Sequence, residues 1–234
     1  MAGVALVIPA WDEATTIGAV LDEVPRDAVA RVYVVVGDAS DPTADAARGG
    51  GAEVLVPARR GYGAACWTGA QAALRAGAQI IAFLDGDYSD PPAELPRLIA
   101  PLAAGDADLV LGCRAAAGAR EALPVHARLG NRLVLLGLRL LVPSARLADL
   151  PSFKVVTAHA LRRLEMREMT YGWTVEMLVK ATRAGLRVHQ VEVGYRPRLS
   201  GRSKVSGSLR GTLGAAWKLC ACAVGYAGWS PAAG

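Results

Sequence analysis

Gln79-Ile80-Ile81-Ala82-Phe83-Leu84-Asp85-Gly86-Asp87 sets a buried-strand pattern directly against two carboxylates. The run from Gln79 to Leu84 reads as a strand, and its abrupt end aims Asp85 and Asp87 from the strand terminus into solvent. Oxygen ligands of this kind suit Mg²⁺ or Mn²⁺, which take one or two carboxylates and leave the other positions to water and substrate phosphates. An isolated Asp-x-Asp is also what a surface turn supplies, since Asp and Gly are good turn formers. The surrounding elements therefore decide the reading.

Working outward, the first half alternates short β-rich runs with Ala-rich helical stretches, the pattern of βαβ units and a mainly parallel sheet flanked by helices. Strands are expected at Gly3 to Ile8, Arg31 to Val36, Glu53 to Val56, Gln79 to Leu84 and Leu109 to Gly112. Helices are expected at Thr15 to Val24, Ala44 to Arg48, Gly63 to Ala76 and Ala93 to Ala103. In such sheets ligands collect at the carboxyl ends of the strands, and the polar candidates fall there: Asp12 and Glu13, Asp38, Arg59 and Arg60, Asp85 and Asp87. The second half predicts a Leu-rich helix from about Ala127 to Val142, a helix at Thr174 to Ala184 and a strand at Arg187 to Val193. At about 100° per residue, Arg128, Arg132 and Arg139 fall within about 40° of one another, a basic stripe on an aliphatic rod. That stripe fits a core helix with snorkelling arginines or an interfacial helix facing lipid.

The chain has 234 residues, enough for one sizeable core, and is 53% hydrophobic. We expect one domain over residues 1–210, with a nucleotide-binding half at 1–114 and an acceptor half at 115–210, followed by a basic and apolar tail at 211–234. The formal net charge is +5, and the excess lies at the end. From Val193 to Gly234 there is no Asp or Glu, whereas Arg196, Arg198, Arg202, Lys204, Arg210 and Lys218 are all cationic. The four cysteines, Cys66, Cys113, Cys220 and Cys222, lack zinc-ligand spacing and read as small buried residues in a reducing compartment. No basic n-region precedes the first strand, and no stretch reaches the roughly 18 to 20 apolar residues that a spanning helix needs. These features predict a cytoplasmic protein, soluble or peripheral on the membrane, and no nucleic-acid partner.

Taken together the motifs resemble family 2 glycosyltransferases of the GT-A fold, a Rossmann-like nucleotide-diphospho-sugar transferase fold. The similarity is greatest to the branch containing dolichol and polyprenyl phosphate mannose and glucose synthases. It covers about residues 3 to 210. Val7-Ile8-Pro9-Ala10-Trp11-Asp12-Glu13 stands for the family's I-P-A-x-N-E, Gly37-Asp38-Ala39-Ser40-Asp41-Pro42-Thr43 for D-D-G-S-x-D-G-T, and Arg60-Gly61-Tyr62-Gly63-Ala64-Ala65 for R-G-x-G-x-A. Asp85 to Pro92 stands for D-A-D-x-x-x-P, Leu111-Gly112-Cys113-Arg114 for the G-S-R element, and Gly201-Arg202-Ser203-Lys204 for G-x-S-K. The chain departs from the family at Asp12 in place of Asn, at Gly37 in place of the first of two acids, in a turn at Asp41-Pro42-Thr43 one residue short, and at Leu150-Pro151-Ser152 in place of Leu-Gly-Pro. Proline forbids positive φ where glycine allows it, which predicts a reshaped loop beside Asp149.

The resemblance implies a metal-dependent enzyme that transfers a hexose from a UDP-glucose or GDP-mannose type donor with inversion. It implies donor contacts from Pro9, Ala10, Glu13, Asp38, Arg60 and Asp85, with Mg²⁺ or Mn²⁺ on Asp85 and Asp87. For a polyprenyl phosphate acceptor, Arg114 and Arg128 stand at the branch's phosphate-binding positions, while Arg202 and Lys204 would close over the diphosphate. An ionised phosphate oxygen needs no base, and arginine forks suit it. A hydroxyl acceptor on a small metabolite would instead need a general base, for which Asp149 and Glu176 are the candidates. Asp87, Asp149 and Glu176 are thus the expected catalytic carboxylates. A nucleotide-sugar binding protein without catalysis is a third reading, supported only by Gly37 and Pro151.

Overall fold

The computed structural model describes residues 3–114, 135–137, 149–200 and 219–231. A single sheet of seven strands runs through it in the order β3-β2-β1-β4-β6-β5-β7. The strands are β1 Val4–Pro9, β2 Arg31–Val35, β3 Glu53–Leu55, β4 Ile80–Phe83, β5 Leu109–Arg114, β6 Lys154–Thr157 and β7 Val188–Val193. β1 lies between β2 and β4, parallel to both, with Val7 opposite Tyr33 on one side and Phe83 on the other. β5 and β7 also pair in parallel. Only β6 runs against its neighbours, pairing Lys154 with Phe83 of β4 and with Leu111 of β5.

Both faces of the sheet are covered, because successive side chains of a strand point to opposite sides. Leu6 and Ile8 of β1 join one core with helices α1 Ile17–Asp22, α2 Thr43–Gly49 and α4 Leu95–Ala103. Ala5 and Val7 join the other with α3 Tyr62–Arg75, α5 Ala158–Leu164 and α6 Trp173–Arg183. The buried face of α3 is built of small residues, Ala65, Cys66, Ala70 and Ala73, which let the helix lie close to the central strands. Of the four cysteines, Cys66 and Cys113 are buried and none is in a disulfide.

The strands expected in the first half are present with ends shifted by one or two residues. β6 and α5 were not expected. Lys-Val-Val-Thr is too short to show a period, and its burial on both faces removes the alternation that would mark it. The expected helix at 127–142 lies outside the described residues except for 135–137, which are helical. Residues 219–226, within the expected basic and apolar tail at 211–234, are helical and packed on the core, with Ala223 only 1% exposed. No helix among the described residues is long and apolar enough to cross a membrane.

Candidate active site

The carboxyl ends of β1, β2, β3, β4 and β5 meet at one edge of the sheet. Because β6 is antiparallel, its first residue, Lys154, and the loop 149–153 before it arrive at that same edge. The candidate residues from six separate stretches of chain are brought together in this way.

At the end of β1, Pro9 pairs with Val35 and the Ala10 N–H donates to the Val35 carbonyl. The next turn is held by the β2 loop. Asp41 Oδ2 accepts the Asp12 N–H at 3.0 Å, and Thr43 Oγ1 accepts the Glu13 N–H at 2.8 Å. Thr16 Oγ, fully buried, lies 2.9 Å from Glu13 Oε2 and 2.8 Å from the Gly86 carbonyl, which joins this turn to the one after β4. Asp12 and Tyr88 have φ of 57° and 67°, so both turns hold a residue in the left-handed region, each at a cost of about 1–3 kcal/mol.

At the ends of β2 and β3, Arg60 Nη2 is 3.1 Å from Asp38 Oδ2, and its guanidinium lies 5.5 Å over the Trp11 ring. Asp38 Oδ1 accepts both the N–H and the Oγ–H of Ser40, which hold its carboxyl below the usual range. The departure at Gly37 sits against Trp11. A Cβ on Gly37 would stand 3.0 Å from Trp11 Cδ1, so a side chain here requires a small shift of the indole.

At the end of β4, Asp85, Asp87 and Asp90 form a largely buried acidic group. Asp85 Oδ1 is buried without a hydrogen-bond partner. Burial, then the charges of Asp87 and Asp90, push the Asp85 carboxyl up to about 7. Asp87 is 2% exposed; its Oδ1 accepts the Ser89 N–H at 2.9 Å and Oγ–H at 2.6 Å, and its Oδ2 is 2.7 Å from Arg198 Nη2. Asp90, held by Ser152 Oγ at 2.8 Å, is pushed up to about 6, chiefly by burial. Below them the fully buried Lys154 ammonium donates to the Pro151 and Ser152 carbonyls and to Thr174 Oγ1, shaping the loop where proline replaces the family's glycine.

An orphaned buried carboxylate oxygen beside a second carboxylate fits a divalent cation. Among the described residues no three His, Cys, Asp or Glu side chains form a protein-only metal cage. Mg²⁺ and Mn²⁺ shared with substrate phosphates need no such cage.

Arg114, at the end of β5, and Asp149, at the start of the β6 loop, are paired. Nε to Oδ2 and Nη2 to Oδ1 are both 2.6 Å, and the Arg114 guanidinium also lies 5.2 Å over the Tyr195 ring. The candidate phosphate ligand and the candidate base are therefore one unit.

Glu176 is placed differently. On α6 it is 0% exposed, 2.8 Å from Lys180 Nζ, and accepts the N–H groups of Arg167 and Glu168 at 2.7–3.1 Å. Lys180 in turn donates to the Glu165 carbonyl and is covered by the Tyr226 and Trp229 rings. This pair clamps the loop 165–170. That loop abuts the start of α3, where a Cβ on Gly63 would stand 2.4 Å from the Glu168 carbonyl oxygen and a Cβ on Gly61, at φ 146°, would stand 2.2 Å from the Met169 carbonyl oxygen. Glu176 thus supports the site as a structural carboxylate with its acceptor capacity in use, which does not suit a general base.

Arg128, Arg202 and Lys204 lie outside the described residues. Sequence reasoning missed Asp90, Ser152, Lys154, Tyr195 and Arg198 as site residues. Asp90 was visible inside its motif, and Arg198 was visible only as one of several cations in the acid-free stretch.

Residues 5–164 match the family model "Glycosyl transferase family 2". An uncharacterised glycosyltransferase of Mycobacterium tuberculosis (strain ATCC 25618 / H37Rv) is 39% identical over 217 residues, covering 91% of this chain and 95% of its own. The undecaprenyl-phosphate mannosyltransferase of Micrococcus luteus is 30% identical over 227 residues, covering 88% of each chain. Among solved structures, glucosyl-3-phosphoglycerate synthase from Mycobacterium tuberculosis in complex with Mn²⁺, UDP and glucosyl-3-phosphoglycerate superposes with a TM-score of 0.76 at 24% identity, over 98% of this chain and 81% of that one.

Proposed function

The chain belongs to glycosyl transferase family 2 and has the GT-A fold, and from that premise we propose that it transfers a hexose from a nucleotide-sugar to a polyprenyl phosphate. The observation that carries the acceptor is the Arg114–Asp149 fork. A carboxylate engaged by a guanidinium through both oxygens is poorly disposed to take a proton from a hydroxyl. The same fork fixes Arg114 in orientation and leaves its other N–H groups for an anion. An acceptor that brings its own ionised oxygen fits this arrangement, and the undecaprenyl-phosphate mannosyltransferase relative supports it.

In this reading Pro9, Ala10 and Glu13 hold the nucleoside, with Asp38 and Arg60 at its outer edge. Asp85 and Asp87 hold Mg²⁺ or Mn²⁺, which when bound supplies Lewis-acid stabilisation to the departing diphosphate. Arg114 steers the acceptor phosphate, together with Arg128 of the sequence motif. Arg202 and Lys204 are proposed to cover the diphosphate and exclude water. The phosphate oxygen attacks the anomeric carbon as the bond to the diphosphate breaks, the nucleoside diphosphate leaves with the electron pair, and the anomeric configuration inverts. The acceptor would be met at the cytoplasmic membrane face.

The test is nucleotide release from UDP-glucose and GDP-mannose with Mg²⁺ or Mn²⁺, with a short polyprenyl phosphate, with 3-phosphoglycerate, or with neither, beside the Asp87→Ala variant. Release that needs both metal and lipid phosphate and is lost in the variant is the expected result. Release driven by 3-phosphoglycerate alone would replace the lipid by a small hydroxyl acceptor. Donor binding with no release under any condition would leave only a binding role.

A further inference from the structure

The segment that follows β7 crosses the Asp85–Asp90 turn on a row of fastenings. Tyr195 stacks with Arg114. The Arg196 N–H donates to the Ser89 carbonyl at 2.9 Å, and Arg196 Nη1 lies 2.9 and 3.0 Å from the two Glu23 oxygens. The Arg196 guanidinium also covers the Tyr88 ring at 4.6 Å, and the Tyr88 hydroxyl donates to the same Glu23. Two residues further on, Arg198 Nη2 sits 2.7 Å from Asp87 Oδ2 while Nη1 is 3.9 Å from Glu13 Oε1, and the Leu199 N–H points at the Asp87 carbonyl.

The two ends of this strap differ in kind. Arg196 binds Glu23, the residue directly after α1, a carboxylate that has no place in the donor site. Arg198 binds the carboxylate that the proposed function gives to the metal. With Oδ1 accepting twice from Ser89, Oδ2 is the Asp87 oxygen open to an incoming cation, and it is the one that Arg198 holds. A guanidinium and a divalent ion cannot share Oδ2 at close range without direct like-charge repulsion.

We propose that Arg198 is a resident counter-cation that the divalent metal displaces from Asp87, so that metal loading unfastens residues 197–200 while Arg196 stays anchored as the hinge. The inference rests on the reading of Asp85 and Asp87 as metal ligands. Without the metal, Arg198 offsets an acidic group whose other cations among the described residues are the buried Lys154 and, toward Asp90, Arg114. With it, the released guanidinium is free to meet an anion, which links metal uptake to nucleoside diphosphate binding through one side chain. Asp87 is 3% exposed at its side chain whereas Arg198 is 31% exposed, so the arginine can leave toward solvent without opening the core.

The experiment is Mn²⁺ titration of the nucleotide-free protein, followed by the electron paramagnetic resonance of free Mn²⁺, for wild type, Arg198→Gln and Arg198→Lys. Hydrogen exchange at residues 196–200 is followed in parallel. The expected result is that Arg198→Gln binds Mn²⁺ roughly tenfold tighter than wild type, while Arg198→Lys, which keeps the charge, stays near wild type. Exchange at 198–200 speeds up on adding Mn²⁺ to wild type and is already fast in Arg198→Gln, with residue 196 protected in both. Adding UDP or GDP tightens Mn²⁺ binding more in wild type than in Arg198→Gln. A variant that merely misfolded would bind less Mn²⁺, the opposite sign. Equal Mn²⁺ affinity in Arg198→Gln and wild type overturns the displacement alone. Failure of both proteins to take up Mn²⁺ overturns it together with the metal reading.

Discussion

The Arg114 guanidinium and the Asp149 carboxylate meet through two parallel contacts of 2.6 Å, with side chains only 18% and 10% exposed. Each residue therefore fixes the other. Asp149→Asn and Arg114→Lys are each expected to lower kcat/KM by about 100-fold, and the double variant should be no worse than the poorer single one, because residues acting as a unit are not additive. If Asp149 were instead a base for a hydroxyl, its loss would far exceed that of Arg114→Lys and the effects would add.

Asp85 illustrates a site built at the expense of the fold. Its Oδ1 is buried without a partner and its carboxyl is pushed up to about 7. Asp85→Asn should leave the melting temperature of the metal-free protein unchanged or higher, while Mn²⁺ uptake falls at least about tenfold. Thermal melts with and without Mn²⁺ check both halves. A destabilised variant that still bound Mn²⁺ would contradict this account.

Asp90 predicts a pH dependence with a definite sign. Its folded value of about 6 lies above the ordinary 3.8, so its ionisation opposes folding. Its contribution is fully present below pH ~4 and is lost as the pH rises through about 6. Asp90→Asn should match wild type near pH 4 and exceed it by about 1–3 kcal/mol at pH 8. Urea denaturation in the presence of a chelator at the two pH values measures the difference.

The Glu176–Lys180 pair has no exposure on either side chain. Glu176→Gln leaves a buried ammonium between Tyr226 and Trp229 and should cost about 3–5 kcal/mol, whereas Glu176→Gln with Lys180→Met should recover most of it. Turnover per folded molecule, measured well below the melting temperature, should change little. A large loss of kcat at unchanged stability would return Glu176 to the catalytic group.

The parallel half of the sheet was legible because each βα unit writes its own period into consecutive residues, from Val4–Pro9 through Leu109–Arg114. The Asp85, Asp87, Asp38 and Glu13 positions followed from their place after those strands. What was not legible depends on partners distant in sequence. Arg198 reaches Asp87, Ser152 reaches Asp90 and Arg114 reaches Asp149 only once the reversed strand β6 and the end of β7 are in place. The burial of Glu176 was not legible for a related reason: an acid near the start of a helix looks the same in sequence whether it faces a substrate or a buried lysine.

The reversed direction of β6 has a consequence for how such an enzyme can change. β5 ends at Arg114 and β6 begins at Lys154 on the same edge of the sheet. The chain between those two residues therefore leaves and re-enters the scaffold at the rim of the site. Its replacement by a stretch of different length or chemistry would keep the register of β5 and β6, provided that Leu135, Leu150 and Phe153 keep their core packing and Asp149 and Ser152 keep their partners. In the proposed reading, acceptor choice is in this sense a graft: the donor apparatus and the sheet that carries it are inherited while the inserted chain is exchanged.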